Sequence, residues 1–305
     1  MSTGPRLLDR WGPDLAALEG AALLSAIAAA DGRVVLAEVV AGAAPLLRGT
    51  ANAELVAAFG ADLLCCNMVD PLAGDLTLPG LDGLDPAPCG FTGLRRLLGR
   101  PVGLNLEPAV DGVPEAYRAT AERAAAAAAG GASFVVITAN PGRGVGTAEL
   151  VTAAATVRAA APNLVCLAGK MHHGGLREAL GPDTVDAIVA AGAHGVLVPL
   201  PGTMPGLSEA TAAAMVEAAH QARVLAIGTI GTSQEGADTG TIRQLALTAK
   251  RLGVDVHHLG DAGLDGLAAP ENIYAYSVAI RGVRHTWNRM ARATRATWGG
   301  HHEQP

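Results

Sequence analysis

Aromatic residues are scarce in this chain of 305 residues, at 3% of the total, although half of the residues are hydrophobic. Alanine and glycine are abundant instead. This composition suits helices packed closely on a sheet better than a sandwich built on large side chains. The length would allow two average domains, but α/β barrels commonly reach it as one domain.

The sequence has no CxxC spacing and no strongly basic face before residue 281. Three of its four cysteines (Cys65, Cys66, Cys89 and Cys166) lie in or at the end of apolar runs, which predicts buried, reduced thiols. The net charge is −6. We therefore do not expect nucleic acid as a partner.

Long apolar runs are also missing. The most apolar stretch, 124–139, is mostly alanine and glycine and is too short and too weakly hydrophobic for a membrane span. The first residues lack a secretory apolar core. We expect a cytoplasmic protein with no membrane partner.

What the chain does contain is a regular alternation of short apolar runs and segments of helical periodicity. The predicted strands are 34–40, 62–68, 102–106, 133–138, 164–168, 195–198, 224–227 and 254–258. The predicted helices after them are 52–59, 91–98, 114–129, 147–160 (capped by Thr147), 183–191, 208–221 (capped by Ser208), 239–251 and 270–281. Strands that are apolar throughout belong to a parallel sheet covered by helices.

Eight such units predict a (β/α)8 TIM barrel, with a doubly wound open sheet as the alternative. A helix over 14–29 is expected to cap the barrel bottom. We expect one domain over residues 1–305, with a core at about 34–285, a helical C-terminal tail and disorder at 299–305. The tail, 281–298, carries five arginines and two tryptophans. It is expected to pack on the surface or at a subunit interface of a homo-oligomer.

In a barrel, the active site lies at the carboxyl ends of the strands, so polar residues there are candidates by position alone. Glu38 and Glu107 stand out because each interrupts an apolar run, where a carboxylate without a partner is costly. Both are predicted to be catalytic. Turn formation or helix capping is the competing explanation for strand-end residues such as Asp70 and Asn140.

Lys170 follows five apolar residues and precedes two histidines. Partial burial would lower the pKa of its amine and make it a nucleophile towards carbonyls. A fixed positive charge facing a substrate anion is the other functional role, and a purely structural lysine is the third possibility.

Of the two histidines that follow, only one can point inward if the segment is extended. His172 shares a side with Lys170 and is the predicted catalytic one. His258 is preferred over His257 as a substrate contact, although a structural histidine fits as well.

Two glycine-rich segments, 228–236 and 260–266, follow strands seven and eight, where many barrels bind a phosphate on backbone N–H groups. A small anionic substrate is therefore the expected partner. The predicted substrate- or phosphate-binding residues are Asn67, Asn105, Asn140, Gly231, Thr232, Ser233, Glu235, His258, Gly260, Asp261 and Gly263. A third glycine segment, 141–146, does not match a dinucleotide fingerprint.

No HExxH motif or Cys/His cluster is present, so no cofactor is certain. A divalent metal, Mg²⁺ or Mn²⁺ or else Zn²⁺, is possible if Glu38, Glu107, His172 and Asp261 converge.

Several segments resemble an uncharacterised bacterial family of aldolase-type TIM barrels, whose members are often labelled haloacid-dehalogenase-like hydrolases. The segments are AGKMH at 168–172, IGTSQEGAD at 230–238, HLGDAG at 258–263 and APENI at 269–273, with NLEP at 105–108 and NPGRGV at 140–145. The resemblance implies the barrel but specifies no reaction. The hydrolase label requires an Asp-x-Asp pair, which this chain lacks.

Three hypotheses follow. The first is an aldolase-type lyase or isomerase acting on a small phosphorylated or carboxylated carbonyl compound, with Lys170 as a Schiff-base or electrostatic residue. The second is a metal-dependent hydrolase or mutase using Glu38, Glu107, His172 and Asp261. The third is a ligand-binding barrel without catalysis.

Overall fold

Eight apolar segments of the chain form eight parallel strands, and the strand order β1 to β8 closes on itself as a barrel. The computed structural model describes residues 5–85, 87–174 and 176–292. The strands are β1 (Val34–Val40), β2 (Leu63–Asn67), β3 (Val102–Leu106), β4 (Phe134–Ile137), β5 (Val165–Gly169), β6 (Gly195–Pro199), β7 (Leu225–Ile230) and β8 (Val256–Leu259). The predicted (β/α)8 barrel is confirmed, and the open sheet is wrong.

Helices alternate with the strands around the barrel. They are α1 (Gly12–Ala16), α2 (Gly20–Ala28), α3 (Asn52–Ala58), α4 (Gly90–Leu98), α5 (Ala121–Ala129), α6 (Thr147–Ala160), α7 (Pro182–Ala190), α8 (Glu209–Gln221), α9 (Thr239–Leu252) and α10 (Pro270–Arg292). Short 3-10 helices occupy Leu7–Asp9, Glu115–Tyr117 and Gln234–Gly236. Within the described ranges, none of the helices is both long and apolar enough to cross a lipid bilayer.

Strand side chains alternate between the barrel interior and the surrounding helices, and both sets are apolar. Leu36 and Leu167, for example, belong to an interior cluster that also contains Leu15 and Leu23 from the N-terminal helices. Their neighbours on the strands pack outward in a second cluster with the outer helices. The N-terminal helices therefore cover the bottom of the barrel, where a continuous apolar interior would otherwise meet water.

Three helix predictions need correction. The helix expected over 14–29 is two helices, because Gly20 adopts a φ of +50° between them. The helix expected from residue 114 begins at Ala121, since the backbone at Tyr117 and Ala119 is hydrogen-bonded to Glu107 instead. Thr147 is the first residue of α6 and does not cap it; Gly146 occupies the N-cap position. Ser208 caps α8 as predicted, by accepting from the N–H of Thr211.

The cysteines and the tail match the predictions in part. All four cysteines are free, but Cys89 is exposed while the other three are buried. The tail is helical to Arg292, with a break at Gly282. Residues 299–305, predicted to be disordered, lie outside the described ranges.

Two arginines of the tail turn inward and hold the bottom of the barrel. Asp62, which is fully buried, accepts from Nε of Arg289 at 2.6 Å, from Nη1 of Arg281 at 2.5 Å and from the N–H of Val35 at 2.8 Å. The guanidinium group of Arg289 also donates to the carbonyls of Leu7 and Arg10 in the N-terminal segment, and that of Arg281 donates to the carbonyls of Arg33 and Gly60. Burial raises the pKa of Asp62, but both arginines outweigh it and leave that pKa below its ordinary value.

Replacing Asp62 with asparagine should lower the free energy of unfolding by about 3–5 kcal/mol, because it leaves two buried guanidinium groups without a counter-charge. Chemical denaturation measures this loss, with the exposed Asp82→Asn as the matched control. The folded-state pKa of Asp62 is lowered, so its contribution is present above the unfolded pKa and disappears as pH falls through the folded value. The variant should therefore lose less stability in acid than the wild type. An unfolding curve like that of Asp82→Asn would contradict the assigned role.

Candidate active site

A cavity of about 460 Å³ lies at the carboxyl ends of the strands, and all eight strands or the loops after them contribute to it. We call it the mouth cavity. Its lining consists of Glu38, Asn67, Asn105, Thr138, Ala139, Asn140, Pro141, Met171, His172, His173, Gly174, Pro205, Gly231, Thr232, Ser233, Glu235, Gly260, Asp261 and Ala262. The predicted position of the site, at the strand ends, is where this cavity lies.

Glu38 and His258 meet across the seam between β1 and β8. His258 is the register partner of Leu36, so its side chain lies one pleat below that of Glu38. Its Nε2 atom is 3.3 Å from Oε2 of Glu38, and both side chains are almost wholly buried. Oε1 of Glu38 and both ring nitrogens of His258 lack a hydrogen-bond partner among the described residues. Unpaired polar atoms buried in this way have hydrogen-bonding capacity left for a ligand.

Two side-chain amides, those of Asn105 and Asn67, connect strands β3 and β2 to Asp261 in the loop after β8. Nδ2 of Asn105 donates to Oδ1 of Asn67 at 3.1 Å, and Nδ2 of Asn67 donates to Oδ2 of Asp261 at 2.9 Å. Burial, and then the charge of Glu38, raise the pKa of Asp261 to about 7, although the hydrogen bond from Asn67 opposes the rise. Asp261 therefore exchanges a proton near neutrality, which Asp does not do in water.

Asn67 is held in place by a strained backbone. Its Oδ1 atom also accepts from the N–H of Met68, which has a φ of +58°. A residue other than glycine rarely adopts a positive φ, and such strain tends to gather at functional sites. The turn after β2 thus fixes the amide that contacts Asp261.

Glu235 is the third carboxylate of the cavity, and it is fully buried. Its Oε1 atom accepts from the N–H of Ala262 at 3.1 Å, while Oε2 has no partner among the described residues. Burial raises the pKa of Glu235, and the N–H of Ala262 lowers it by less.

Glu107, which the sequence predicts to be catalytic, does not line the mouth cavity. Its two carboxylate oxygens accept from the backbone N–H and the side-chain amide of Asn140, both at 2.9 Å. Nε of Arg143 lies 3.6 Å away. Glu107 therefore fixes the loop after β4 and turns Asn140 towards the cavity.

Lys170 also points away from the cavity. Along β5, Val165 and Leu167 belong to the interior cluster and Cys166 and Ala168 to the outer one, so Lys170 continues the outer set. Its ammonium donates to Oε2 of Glu178 at 2.9 Å and to the carbonyl of Leu176 at 3.0 Å. A paired ammonium facing outward is a poor nucleophile for a ligand in the barrel.

The partner of Lys170 explains what the lysine does. Glu178 also accepts from the N–H of Thr147, in the first turn of α6. The ion pair therefore ties the loop after β5 to the start of α6. Gly144 adds a backbone hydrogen bond to Gly174 at 2.7 Å. Together these contacts hold the segment that carries the two histidines.

Both histidines of that segment line the cavity, because the extended conformation on which a one-sided arrangement depended does not continue through them. The alternation of β5 reaches Met171 but no longer applies from His172 onward. Burial, and then the charges of Lys170 and His173, lower the pKa of His172. A ring nitrogen of His173 lies 3.0 Å from the carbonyl of Pro205.

Most of the other predicted residues reach the cavity. Asn67, Asn105, Asn140, Gly231, Thr232, Ser233, Glu235, Gly260 and Asp261 line it, His258 lies beneath Glu38, and Gly263 packs behind Glu235. Sequence reasoning missed Met171, Pro205 and the inward position of His173. Met171 could have been found, because it continues the interior alternation of Val165 and Leu167 along β5.

The four predicted metal ligands do not converge. Glu38, His172 and Asp261 line the cavity, but both oxygens of Glu107 bind Asn140. Across residues 5–85, 87–174 and 176–292, no three His, Cys, Asp or Glu side chains are grouped so that they could hold a metal ion. The predicted ligand set is therefore not assembled in these ranges, and a bound metal stays a prediction.

Replacing Lys170 with methionine should raise the pKa of His172, because a positive charge that lowers it is removed. The titration of the His172 ring protons, followed by NMR and assigned with His172→Gln, measures the shift. Lys250→Met is the matched control, since Lys250 lies in α9 and donates to the backbone carbonyl of Ile280 in α10. An unchanged pKa of His172 in Lys170→Met would contradict the proximity of the two side chains.

Comparison with known proteins gives a family. A search of curated proteins finds no match. Among solved structures, "QR15, an Aldolase" is 15% identical, with 85% of this chain and 98% of that chain covered and a TM-score of 0.46. An oxaloacetate acetylhydrolase is 16% identical, with 81% and 82% covered and a TM-score of 0.49. Both identities and both TM-scores are low, so neither activity extends to this chain.

The family comparison covers nearly the whole barrel. The model described as "Domain of unknown function (DUF7916)" matches residues 8–296, which include every residue of the mouth cavity. The chain therefore belongs to the DUF7916 family.

Proposed function

We propose that this protein is a lyase or isomerase that moves protons on a small carbonyl compound bound in the mouth cavity, by general acid–base catalysis and without a Schiff base. The reacting groups are Asp261 and Glu38, with His258 as a positioning residue behind Glu38.

The proposal rests on the position and the raised pKa of Asp261. Its carboxyl group lies in the cavity, is bonded by Asn67, and has a pKa of about 7 because of burial and the neighbouring Glu38. An acid–base catalyst works best when its pKa is near the working pH. Strongly shifted carboxyl groups in a cleft are typical of catalytic sites, although ion-pair networks also produce them.

Glu38 supplies the second carboxyl group. One of its oxygens lies 3.3 Å from Nε2 of His258, and the other has no hydrogen-bond partner among the described residues. The free oxygen is available to take a proton from a ligand, and the buried ring of His258 lies beside the other oxygen.

The reaction then balances with two groups. Glu38 takes a proton from the carbon next to the carbonyl, and the electron pair moves to the carbonyl oxygen, which takes the proton of Asp261. For a compound with a hydroxyl group next to the carbonyl, Glu38 then gives its proton to the former carbonyl carbon, and the hydroxyl group on the carbon that lost its proton gives up its own proton to Asp261. This forms the new carbonyl group, restores both carboxyl groups to their starting forms and completes an isomerisation. In the lyase direction, the base takes a hydroxyl proton, the carbon–carbon bond breaks, and Asp261 protonates the resulting enolate oxygen. The amides of Asn105 and Asn140 line the same cavity and can hold the oxygen in place.

The Schiff-base form of the first hypothesis has less support. It needs an uncharged amine in the cavity, whereas the ammonium of Lys170 is paired with Glu178. For the metal-dependent alternative, one of the four predicted ligands, Glu107, instead accepts a hydrogen bond from Asn140. Acid–base chemistry by the cavity carboxyl groups needs neither.

Asp261→Asn should slow the reaction by about 10²–10⁴-fold, the usual contribution of a general acid or base. The assay is exchange of carbon-bound hydrogen for deuterium from D₂O, followed by NMR across a panel of hydroxy-aldehydes and hydroxy-ketones, some of them phosphorylated or carboxylated. Asp265→Asn, an exposed aspartate of the same loop, is the matched control. Exchange at the wild-type rate in Asp261→Asn would reject the assigned role.

The pH profile gives a second test through Asn67. As an acid, Asp261 loses activity when pH rises through its pKa of about 7. The hydrogen bond from Asn67 favours the charged form and lowers that pKa, so Asn67→Ala should move the basic limb of kcat to higher pH. A purely structural role for Asn67 would lower activity at every pH and leave the limb in place.

A further inference from the structure

The loops after β7 and β8 close around a side chain of the protein itself. Glu235 projects into the place where many barrels hold a substrate phosphate on backbone N–H groups. Its Oε1 atom accepts from the N–H of Ala262 at 3.1 Å, and the side chain has no exposed surface. A backbone donor that could bind a phosphate oxygen is therefore already used by a carboxyl oxygen.

The glycines of these loops fit Glu235 closely. A Cβ on Gly260 would lie 2.8 Å from Oε1 of Glu235, and one on Gly263 would lie 2.7 Å from its carbonyl carbon and 3.0 Å from its Cγ. A Cβ on Gly236 would lie 2.2 Å from the carbonyl oxygen of Gly263. The absence of side chains at these three positions lets the two loops pack against Glu235, so the glycine-rich pattern does not by itself imply a substrate phosphate.

The backbone on either side fixes Glu235 in this position. Ser233 adopts a φ of +75° immediately before the 3-10 turn that carries the glutamate. The side-chain amide of Asn272, in α10, donates to the carbonyls of Glu235 at 2.9 Å and of Ala237 at 2.6 Å. The carboxyl group of Glu235 is therefore held in a fixed position between the two loops.

The charges around the cavity also oppose a substrate phosphate. Its lining, taken over the described residues, contains three carboxyl groups and two histidines but no lysine or arginine. Two neighbouring cations are engaged elsewhere, because Lys170 is paired with Glu178 and Arg143 lies beside Glu107. A phosphate or carboxylate on the substrate would meet like charges without a fixed cation, which opposes binding. The expected anionic substrate is therefore not matched by this cavity.

Besides the carboxyl groups, the lining offers uncharged hydrogen-bonding groups. It contains the amides of Asn67, Asn105 and Asn140 and the hydroxyl groups of Thr138 and Thr232. Asp261, with its pKa of about 7, both donates and accepts hydrogen bonds when it holds its proton. These groups pair well with hydroxyl and carbonyl oxygens.

We infer that Glu235 occupies the anion position between the loops after β7 and β8, and that the substrate is an uncharged hydroxy-aldehyde or hydroxy-ketone. The substrate part of this inference rests on the proposed acid–base function. The occupancy part rests only on the geometry of Glu235.

The first experiment compares matched compounds in the deuterium-exchange assay: dihydroxyacetone with its phosphate, and glyceraldehyde with its 3-phosphate. The wild type should exchange the uncharged member of each pair at least about tenfold faster. Faster exchange with the phosphorylated members would overturn the inference while leaving the acid–base proposal intact. No exchange with any compound, by the wild type or by Asp265→Asn, would count against the acid–base proposal and remove the support for the substrate class.

The second experiment needs no catalysis. Binding of inorganic phosphate is measured by ³¹P NMR and calorimetry in the wild type, in Glu235→Ala and in Glu235→Gln. Glu235→Ala should bind phosphate, because it frees the N–H of Ala262 and opens the space. The wild type and Glu235→Gln should not, because a side chain fills that space. Phosphate binding by the wild type, or none by a folded Glu235→Ala, would overturn the occupancy of the anion position.

Glu235→Gln also covers the case in which the alanine variant does not fold, since glutamine has nearly the same shape and can still accept from Ala262. Removing the charge should raise kcat/KM for the phosphorylated compounds relative to the uncharged ones by about tenfold, with Asp265→Asn as the control. An unchanged ratio would show that the charge of Glu235 does not select the substrate.

Discussion

The pairing of β1 with β8 closes the barrel, and the site depends on it. The register sets Leu36 opposite His258, and because the strands are parallel their carboxyl ends all open at one end. Glu38 and His258 are 220 residues apart in the chain, yet they come within 3.3 Å at this seam. Without closure, the two groups would lie on opposite edges of an open sheet.

Closure also creates two opposite electrostatic environments. At the bottom, one buried carboxylate, Asp62, balances the guanidinium groups of Arg281 and Arg289 and joins the tail to the N-terminal segment. At the mouth, three carboxyl groups face one another without a lysine or arginine in the described lining. Burial raises the pKa of Asp261 and Glu235, whereas the arginines leave that of Asp62 lowered. At the bottom, Asp62 stays charged beside the two arginines, whereas at the mouth Asp261 can hold a proton near neutrality and transfer it.

The loops around the mouth show how positioning residues differ from residues that face a ligand. Glu107 and Lys170 are buried and charged, the properties expected of catalytic groups, yet each is paired within a loop. Glu107 binds Asn140, and Lys170 binds Glu178. Both act on the cavity through what they hold, namely the amide of Asn140 and the segment that carries His172. Burial and charge at a strand end therefore identify a site without separating these two roles.

The sequence by itself determined the architecture and the neighbourhood of the site. Apolar runs separated by helical segments led to the eight-stranded barrel, because strands buried on both faces are mostly apolar. Glu38 was found for the same reason, as a carboxylate inside such a run. Only the tertiary structure decided which way each strand-end residue points. A few residues beyond each strand, the alternation of side chains no longer holds, and partners elsewhere in the loops, such as Glu178 for Lys170 and Ala262 for Glu235, fix the orientation. Those partners meet only when the loops fold over the closed barrel.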